Sequence, residues 1–473
     1  MIAQKAAHGN PFVEGNGDSR MQDRATLMTE GSVWRHIVRF ALPIFWGNLF
    51  QQLYNVVDSL VVGNFLGGDA LAAVGSSSSL IFLLVGLFSG IFTGASVVIS
   101  RYYGARDDAT VRTAVHTSVA FGLASGVVVT IVGVLLTPRM LVWMGTPESV
   151  LPNSILYFRI YFSGVIFVIL YNTAAGIFQA VGDSRHPLYY LVVSSVVNVV
   201  LDLLFVAGLG MGVDGAALAT VISQAASAAL GFHRLCRVTG PYRLWPRKVR
   251  FNGPMLRQLL TLGIPAGLQN SIIAIANVVV QSSINLYGAM AMAGCGSYSK
   301  IEGFAFLPIS SFALALSTFI SQNLGAGEYV RARRGARFGI VCSMLMAEAV
   351  GVVIYLLAPN LISLFNGEAP VIAYGTLQAR TVTLFYFLLA FSHSVAGILR
   401  GAGRAVVPML VMLVCWCVIR VSYIMLIARA SGDIQMVFWA YPLTWSLSSA
   451  AFLLYYLRAD WQHSLDRRAA PPA

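Results

Sequence analysis

Residues 50–68 read FQQLYNVVDSLVVGNFLGG, an apolar run that carries a single carboxylate, Asp58, in its interior. Between Arg39 and Arg101 the only other charged residue is Asp69, which lies in a Gly-rich turn. A stretch of this length with so few charges predicts a helix that crosses a membrane. The position of Asp58 inside it needs a physical reason, because a charge facing lipid is costly.

The composition of the whole chain agrees with a membrane protein. The 473 residues are 57% hydrophobic and 11% charged, whereas a soluble domain holds roughly 25% charged residues. The net charge of +12 raises the possibility of a nucleic-acid partner. The basic residues, however, cluster in short connections between apolar runs, so membrane orientation explains them better. We therefore expect the protein to associate with a lipid bilayer and not with nucleic acid.

Apolar windows long enough to cross the bilayer predict twelve helices. They lie near residues 37–63, 72–100, 111–136, 152–180, 187–208, 213–235, 256–286, 292–322, 333–357, 371–399, 405–428 and 434–457. Arg and Lys concentrate in the loops on one side, and loops such as NFLGGDA and NGEAP on the other side have none. The positive-inside rule then places both termini in the cytoplasm. Residues 1–30 hold no apolar segment of the signal-peptide kind, so we expect no cleaved leader.

The two halves of the chain are copies of each other. Pro43 in ALPIFWGN recurs as Pro265 in GIPAGLQN, and SRYYGAR from Ser100 recurs as SQNLGAG from Ser321. The offset stays at 221 or 222 positions along most of each half. Six spans per copy is an even number, so the copies share one orientation, related by an axis along the membrane normal.

This repeat predicts an all-α polytopic membrane protein with twelve transmembrane helices in two pseudo-symmetric six-helix lobes. The predicted segments are a cytoplasmic tail (1–34), an N-terminal lobe (35–235), a cytoplasmic linker (236–254), a C-terminal lobe (255–458) and a second cytoplasmic tail (459–473). Two such bundles facing each other suit alternating access around a cavity between them.

Four segments carry a specific resemblance: LPIFWGNLFQQLYNVVDSLVVGNFLG, GASVVISRYYGAR, KIEGFAFLP and LSTFISQNLGAGE. They closely resemble the multidrug and toxic compound extrusion (MATE) family, and in particular its DinF-like bacterial branch, over about residues 35 to 458. The resemblance implies an exporter that exchanges protons or sodium for amphipathic compounds and lies in the bacterial cytoplasmic membrane. H⁺ or Na⁺ would be the coupling ion, and we expect no other cofactor.

The polar residues of the first span share one helix face. Asn48, Gln51, Asn55 and Asp58 are spaced by three, four and three residues, so the stripe faces the bundle interior or a wet cavity. A packing carboxylate tied by hydrogen bonds is the structural alternative. Ser194, Asn198 and Asp202 recur every four residues in the fifth span, and Thr220 begins a similar face in the sixth.

The resemblance supplies roles that periodicity does not. Asp58, Asn198, Asp202 and Thr220 match the family positions that form the cation and proton site of the first lobe. If Na⁺ is the coupling ion, these four residues would be its ligands. Two carboxylates held together in a low-dielectric site cannot both stay charged cheaply, so a proton or a cation must accompany them. Its binding could bias a bistable lobe between two arrangements.

The second lobe keeps a polar stripe but has no acid at the matching positions. We therefore expect coupling to be confined to the first lobe. Residues on the stripes and charged residues of the second lobe are candidates for lining a substrate cavity: Gln51, Asn55, Asn277, Gln281, Lys300, Glu302 and Arg420. For Glu302 a role in proton coupling, a role in substrate binding, and a structural salt bridge to Arg420 or Lys300 are all consistent with the sequence.

The leading hypothesis is a secondary-active antiporter that exports amphipathic, cationic small molecules, working as a monomer. The alternative is a flippase for lipid-linked precursors, since related two-lobed families share this architecture and Lys300, Arg380 and Arg420 would suit an anionic headgroup. An intramembrane enzyme lacks support, because no His, Cys or Ser constellation occurs in the spans. Neither the substrate nor the choice between H⁺ and Na⁺ follows from the sequence.

Overall fold

Twelve helical rods make up the fold in a computed structural model, which describes residues 27–143 and 146–463. They are α1 Val33–Leu66, α2 Gly68–Gly104, α3 Asp108–Trp143, α4 151–180, α5 Arg185–Gly208, α6 Val213–Arg237, α7 Gly253–Asn285, α8 Ala289–Gly325, α9 Tyr329–Ser363, α10 Ala369–Gly401, α11 Val406–Ala428 and α12 Ile434–Arg458. Each rod coincides with one predicted span. Helices satisfy their own backbone hydrogen bonds, which is what a lipid environment requires of a spanning segment.

Ten of these helices are long and apolar enough to cross a membrane, and α4 adds an eleventh as a bent pair. The remaining rod, α1, falls short of the hydropathy criterion. Its polar stripe, with Asn48, Gln51, Asn55 and Asp58, lowers its hydropathy. The helix is nevertheless 34 residues long, about 50 Å at 1.5 Å per residue, which exceeds the bilayer core. The chain is therefore an all-α membrane protein with twelve spans.

Four spans depart from the uninterrupted helices that the sequence predicts; one of them is the eleventh, which contains π-helical segments at Leu413–Ile419 and Ile424–Ala428. The fourth bends by 45° between Leu151–Ser163 and Val165–Ala180. The fifth turns into a wider π-helix over Leu203–Gly208. The tenth is interrupted by a 3₁₀ turn at Thr383–Phe385, after which the Phe387 N–H donates to Glu348 Oε2 at 3.2 Å. Interruptions of this kind are placed by local backbone geometry, which hydropathy windows do not detect.

Most loops that carry arginine lie at one end of the bundle, which we call the basic face. There the two halves of the chain touch along their backbones. A Cβ built on Gly90 of α2 would lie 2.3 Å from Gly267 of α7, and one on Gly94 would lie 2.3 Å from Gly263. Side chains would keep the helices apart, so this glycine ridge is a seam between the two halves of one chain.

A second pair of close approaches follows the internal repeat. Gly104 and Gly325 occupy matching positions of the two copies. A Cβ on Gly104 would lie 2.0 Å from the Gln322 carbonyl oxygen, and one on Gly325 would lie 2.0 Å from the Arg101 carbonyl oxygen. Each copy of the repeated motif thus packs against the other copy so closely that neither position has room for a side chain, which explains why both residues are glycine.

The first helix of each half also contributes to the core of the other half. Ile37 and Phe40 of α1 belong to a buried cluster with Phe312 and Phe319 of α8. Leu259 and Leu262 of α7, at the matching positions of the repeat, belong to a cluster with residues of α2 and α3. The basic ends of α1 and α7 are therefore exchanged between the two lobes.

A short segment before α1 closes the basic face further. The Met28 N–H donates to Gln322 Oε1 at 2.9 Å, and Arg331 donates to the carbonyl oxygens of Met28, Glu30 and Gly31 at 3.1, 2.8 and 2.6 Å. The Glu30 carboxylate pairs with Arg106 of the first half at 2.7 Å. Residues 28–31 therefore bridge the two halves.

Candidate ion-coupling site

The predicted acidic pair is brought together by α1 and α5. The Asp58 and Asp202 carboxyl groups lie close enough to share a hydrogen bond. Asp202 is fully buried, with 0% of its surface exposed, and Asp58 is half-buried. Helical periodicity places each acid on the polar face of its own helix, and the packing of α1 against α5 brings the two faces together.

Several oxygens at this site have no donor. Asp58 Oδ1 and both carboxylate oxygens of Asp202 are buried without a hydrogen-bond partner, and so are the side-chain oxygen and nitrogen of Asn198. Two carboxylates have no proton to give each other. Leaving buried polar atoms unpaired costs about 1–3 kcal/mol each and more for charged groups, so a proton or a cation bound at this cluster would remove a large part of that cost.

The donor set fits a small hard cation or a proton. Asn198 is 1% exposed and lies one helical turn before Asp202, so its amide oxygen lies on the same helix face. Carboxylate and amide oxygens are the ligands that hard cations prefer. Among the described residues, no Lys or Arg forms an ion pair with either acid.

The Thr220 hydroxyl uses its proton within its own helix. Its hydroxyl donates to the Ala216 carbonyl oxygen of its own helix at 3.1 Å, and the residue is half-buried. The adjacent turn of α6 is tied to α5, since Ser194 Oγ donates to the Ser223 carbonyl oxygen at 2.9 Å. In this conformation Thr220 belongs to the helix that supports the acids.

Tyrosines surround the acids, and the sequence interpretation missed them. Tyr54 lies one turn before Asp58 on α1, and the charges of both acids act on Tyr54 and on Tyr157 of α4. The four-residue spacing of Tyr157 and Tyr161 puts them on one helix face, but aromatic residues in an apolar span are usually packing residues, so the sequence carried no signal that would have found them.

The cavity candidates on α1 and α7 are exposed. Gln51, Asn55, Asn277 and Gln281 all have open side chains. Gln281 Nε2 donates to Asn285 Oδ1 at 2.9 Å on α7. Polar, exposed faces on the first helix of each half, continuing away from the closed basic face, are what a water-filled cavity between the lobes requires.

The charged candidates of the second half divide into two environments. Lys300 is exposed, with its Nζ 5.3 Å from the Phe365 ring centre. Arg420 is only 1% exposed; its Nε and Nη2 donate to Thr444 Oγ1 at 3.1 and 2.8 Å, and it lies over the Trp416 and Tyr441 rings. Arg420 is therefore held inside its lobe instead of lining an open cavity.

Glu302 lies near Arg420 without a direct bond. Their charges act on each other, but no ion pair joins Glu302 to Arg420 or Lys300 within the part of the chain that the structure describes. Glu302 also acts on Tyr298 and Tyr386, whose hydroxyl oxygens are 2.8 Å apart. The second half thus buries a charged and aromatic cluster that differs in chemistry from the acidic pair of the first half.

Two helical copies joined at a glycine seam, each with a polar, exposed face on its first helix, have the architecture of a two-lobed membrane transporter. Comparison with known proteins agrees. The MatE family model matches residues 43–204 and 265–426, once in each copy. The chain belongs to the MatE family.

Relatives and solved structures cover nearly the whole chain. The probable multidrug resistance protein YoeA of Bacillus subtilis is 30% identical over 434 residues, which are 90% of this chain and 94% of YoeA. The multidrug export protein MepA of Staphylococcus aureus is 23% identical over 93% of this chain and 97% of its own length. The structure of an outward-facing multidrug resistance MATE family transporter superposes with a TM-score of 0.87 at 23% identity, covering 95% of this chain and 100% of that one. The fold of this chain is that of the MATE transporters.

Proposed function

We propose that this protein is a secondary-active antiporter that exports amphipathic cations in exchange for H⁺ or Na⁺ at the Asp58–Asp202 pair. The observation that carries the proposal is the buried cluster of unpartnered oxygens, because a proton or a cation would complete it. The names of YoeA and MepA refer to multidrug resistance and export, which supports amphipathic small molecules as the substrate class. The half-buried carboxylate of Asp58, on the same helix as the exposed polar residues Gln51 and Asn55, would favour a cationic substrate.

The coupling we propose is a competition between two states of the pair. With one monovalent ion bound, the pair carries one negative charge instead of two and α1 can pack against α5; without the ion, repulsion between two carboxylates pushes α1 away. A change at this site reaches the rest of the molecule through α1, whose basic end packs in the other lobe. Binding that differs between two arrangements is sufficient to shift their populations.

Location and assembly follow the same reasoning. We propose a bacterial cytoplasmic membrane with both termini in the cytoplasm, since the arginine-rich loops lie on one face. The closed basic face would then make this conformation an outward-facing one. One chain supplies both walls of the cavity, which supports a monomer as the working unit.

Transport by reconstituted vesicles tests the proposal. The full chain is placed in vesicles with an imposed pH or Na⁺ gradient, and accumulation of a fluorescent lipophilic cation is followed. We expect one of the gradients to drive uphill accumulation, and we expect Asp202→Asn to abolish it while leaving downhill exchange. Asp214→Asn, which removes an acid from the first turn of α6, is the matched control and should transport normally. Accumulation in the wild type that ignores both gradients would contradict the proposal.

The alternative, a flippase for anionic lipid-linked precursors, has one observation in its favour, the exposed Lys300 without a carboxylate partner among the described residues. The same vesicles distinguish it when a fluorescent polyprenyl phosphate replaces the dye. A flippase would move that lipid between leaflets and ignore the cation.

A further inference from the structure

The segment between the two lobes is a folded structure. Tyr242 and Leu244 are buried, and the Leu244 N–H donates to the Leu235 carbonyl oxygen at 2.9 Å. The Tyr242 ring packs edge-on against Tyr103 and Phe178, with ring centres 6.5 Å apart in both cases. The part of the linker around residues 242–245 is therefore fixed to the first lobe and presents a defined outer surface.

The linker folds back along α3 instead of extending into solution. The backbone N–H of Trp245 donates to His116 Nε2 at 3.1 Å. His116 is eight residues into α3, about 12 Å from its start at 1.5 Å per residue. Beyond His116 the helix has no charged residue until Arg139. Trp245 is thus held at the level where α3 changes from polar to apolar, which is where a membrane surface begins.

The exposed side of this linker combines aromatic and basic groups. Trp245 is 42% exposed and Phe251 is 54% exposed. Arg243 lies 4.2 Å and Lys248 5.6 Å from the Trp245 ring centre. Arg247, Lys248 and Arg250 are exposed. The linker surface is defined here as five residues: Trp245, Arg247, Lys248, Arg250 and Phe251.

No acidic residue balances these charges. The sequence has no Asp or Glu between Asp214 and Glu302. Within residues 27–143 and 146–463 none of the cations of the linker surface forms an ion pair. A surface with at least three uncompensated cations attracts anions, and the two large apolar rings beside them would be costly to leave in water.

We propose that the linker surface binds the anionic headgroups of phospholipids in the leaflet on the basic side. Tryptophan is enriched at membrane interfaces because its ring is apolar and its N–H is polar. Lys and Arg beside it bind anionic headgroups, each strengthening the association by roughly fivefold. The position of Trp245 at the polar-to-apolar level of α3 favours a leaflet over a soluble acidic partner, which would leave its ring in water. This inference concerns lipid binding and is independent of what the protein transports.

Spin-labelled lipids test the proposal with the full chain in nanodiscs. The measured quantity is the preference of the protein for phosphatidylglycerol over phosphatidylcholine in the motionally restricted lipid shell. We expect the triple variant R247Q/K248Q/R250Q to lower this preference by at least about fivefold at low salt. At high salt the difference should be smaller, because screening already weakens lipid binding by the wild type. The control R333Q/R334Q/R337Q removes three exposed cations from α9 and should keep most of the preference. Equal preferences in the linker variant and the wild type would overturn the proposal, as would an equal loss in the control.

A second measurement concerns depth. Lipids brominated near the headgroup quench tryptophan within a few ångströms, and W245F keeps the backbone N–H that bonds to His116. We expect W245F to remove a quenched component of the total fluorescence. No change in quenching between W245F and the wild type would place Trp245 in water and overturn the proposal. Preferential binding of the linker surface to a soluble polyanion such as heparin, over phosphatidylglycerol nanodiscs, would also overturn it.

Discussion

The glycine seam makes a sharp prediction about the equilibrium between the two conformations. Gly90→Ala places a methyl group 2.3 Å from the backbone nitrogen and Cα of Gly267 and 2.6 Å from the Ala266 carbonyl carbon. Carbon atoms in contact are about 3.5–4.0 Å apart, so α2 and α7 must separate by about 1.2 Å or more. The obstructing atoms are backbone atoms, which cannot rotate away.

The size of the effect follows from this overlap. Overpacking a tight contact costs about 1–3 kcal/mol, and the cost falls only on the conformation in which the basic face is closed. The equilibrium should therefore move toward the open form by about 5- to 150-fold. Replacing glycine by alanine also stabilises the helix itself by about 0.5–1 kcal/mol, but that gain is the same in both conformations.

Gly86→Ala is the matched control. It lies one turn away on the same ridge, and its new methyl group would meet the Asn270 Cβ at an ordinary 3.6 Å. Spin labels at Ala109 and Val330, both exposed on the basic face, report the distance between the lobes in a background without the native cysteines. We expect Gly90→Ala to add a population at longer distance that Gly86→Ala lacks. Indistinguishable distance distributions in the two folded variants would refute the argument.

Two further predictions concern contacts outside the acidic pair. Arg331→Gln removes the donors that hold residues 28–31, and since charge-assisted hydrogen bonds contribute about 1.5–3 kcal/mol each, hydrogen–deuterium exchange of that segment should rise by about tenfold or more. Arg334→Gln on the same helix should leave the exchange unchanged, and equal exchange in both variants would contradict a clamping role. Arg420→Lys should lower the thermal midpoint in nanodiscs, because an ammonium cannot replace the planar two-bond contact with Thr444. The exposed Arg380→Lys is the control, and an equal shift in both variants would show that burial of Arg420 is irrelevant.

Much of the fold could be predicted because its signals are local. Long runs with few charges indicated all twelve helices, including α1, whose polar stripe lowers its hydropathy, and the repeat of Pro43 at Pro265 indicated two copies. The pairing of Asp58 with Asp202 needed more: periodicity placed each acid on a polar face, but only the family resemblance indicated that the two faces meet. Tyr157 was missed because nothing in an apolar span distinguishes a tyrosine beside an acid from one that only packs.

The exchange of helix ends between the lobes could not be predicted, because periodicity gives the buried face of a helix and not its partner. Ile37 and Phe40 pack in the second half, and Leu259 and Leu262 at matching positions pack in the first half. If the basic face opened by a rigid-body movement of the lobes, α1 and α7 would each have to leave the core of the other lobe or bend between their two ends. Pro43 and Pro265 lie among or next to the exchanged residues, and each removes one backbone hydrogen bond from its helix. Asp58 lies beyond Pro43 on α1, so under the proposed coupling one end of α1 would respond to an ion at Asp58 while the other end stays packed or leaves. Pro43 therefore gives α1 a bending point between Asp58 and the buried residues Ile37 and Phe40, which is where the proposed coupling needs it.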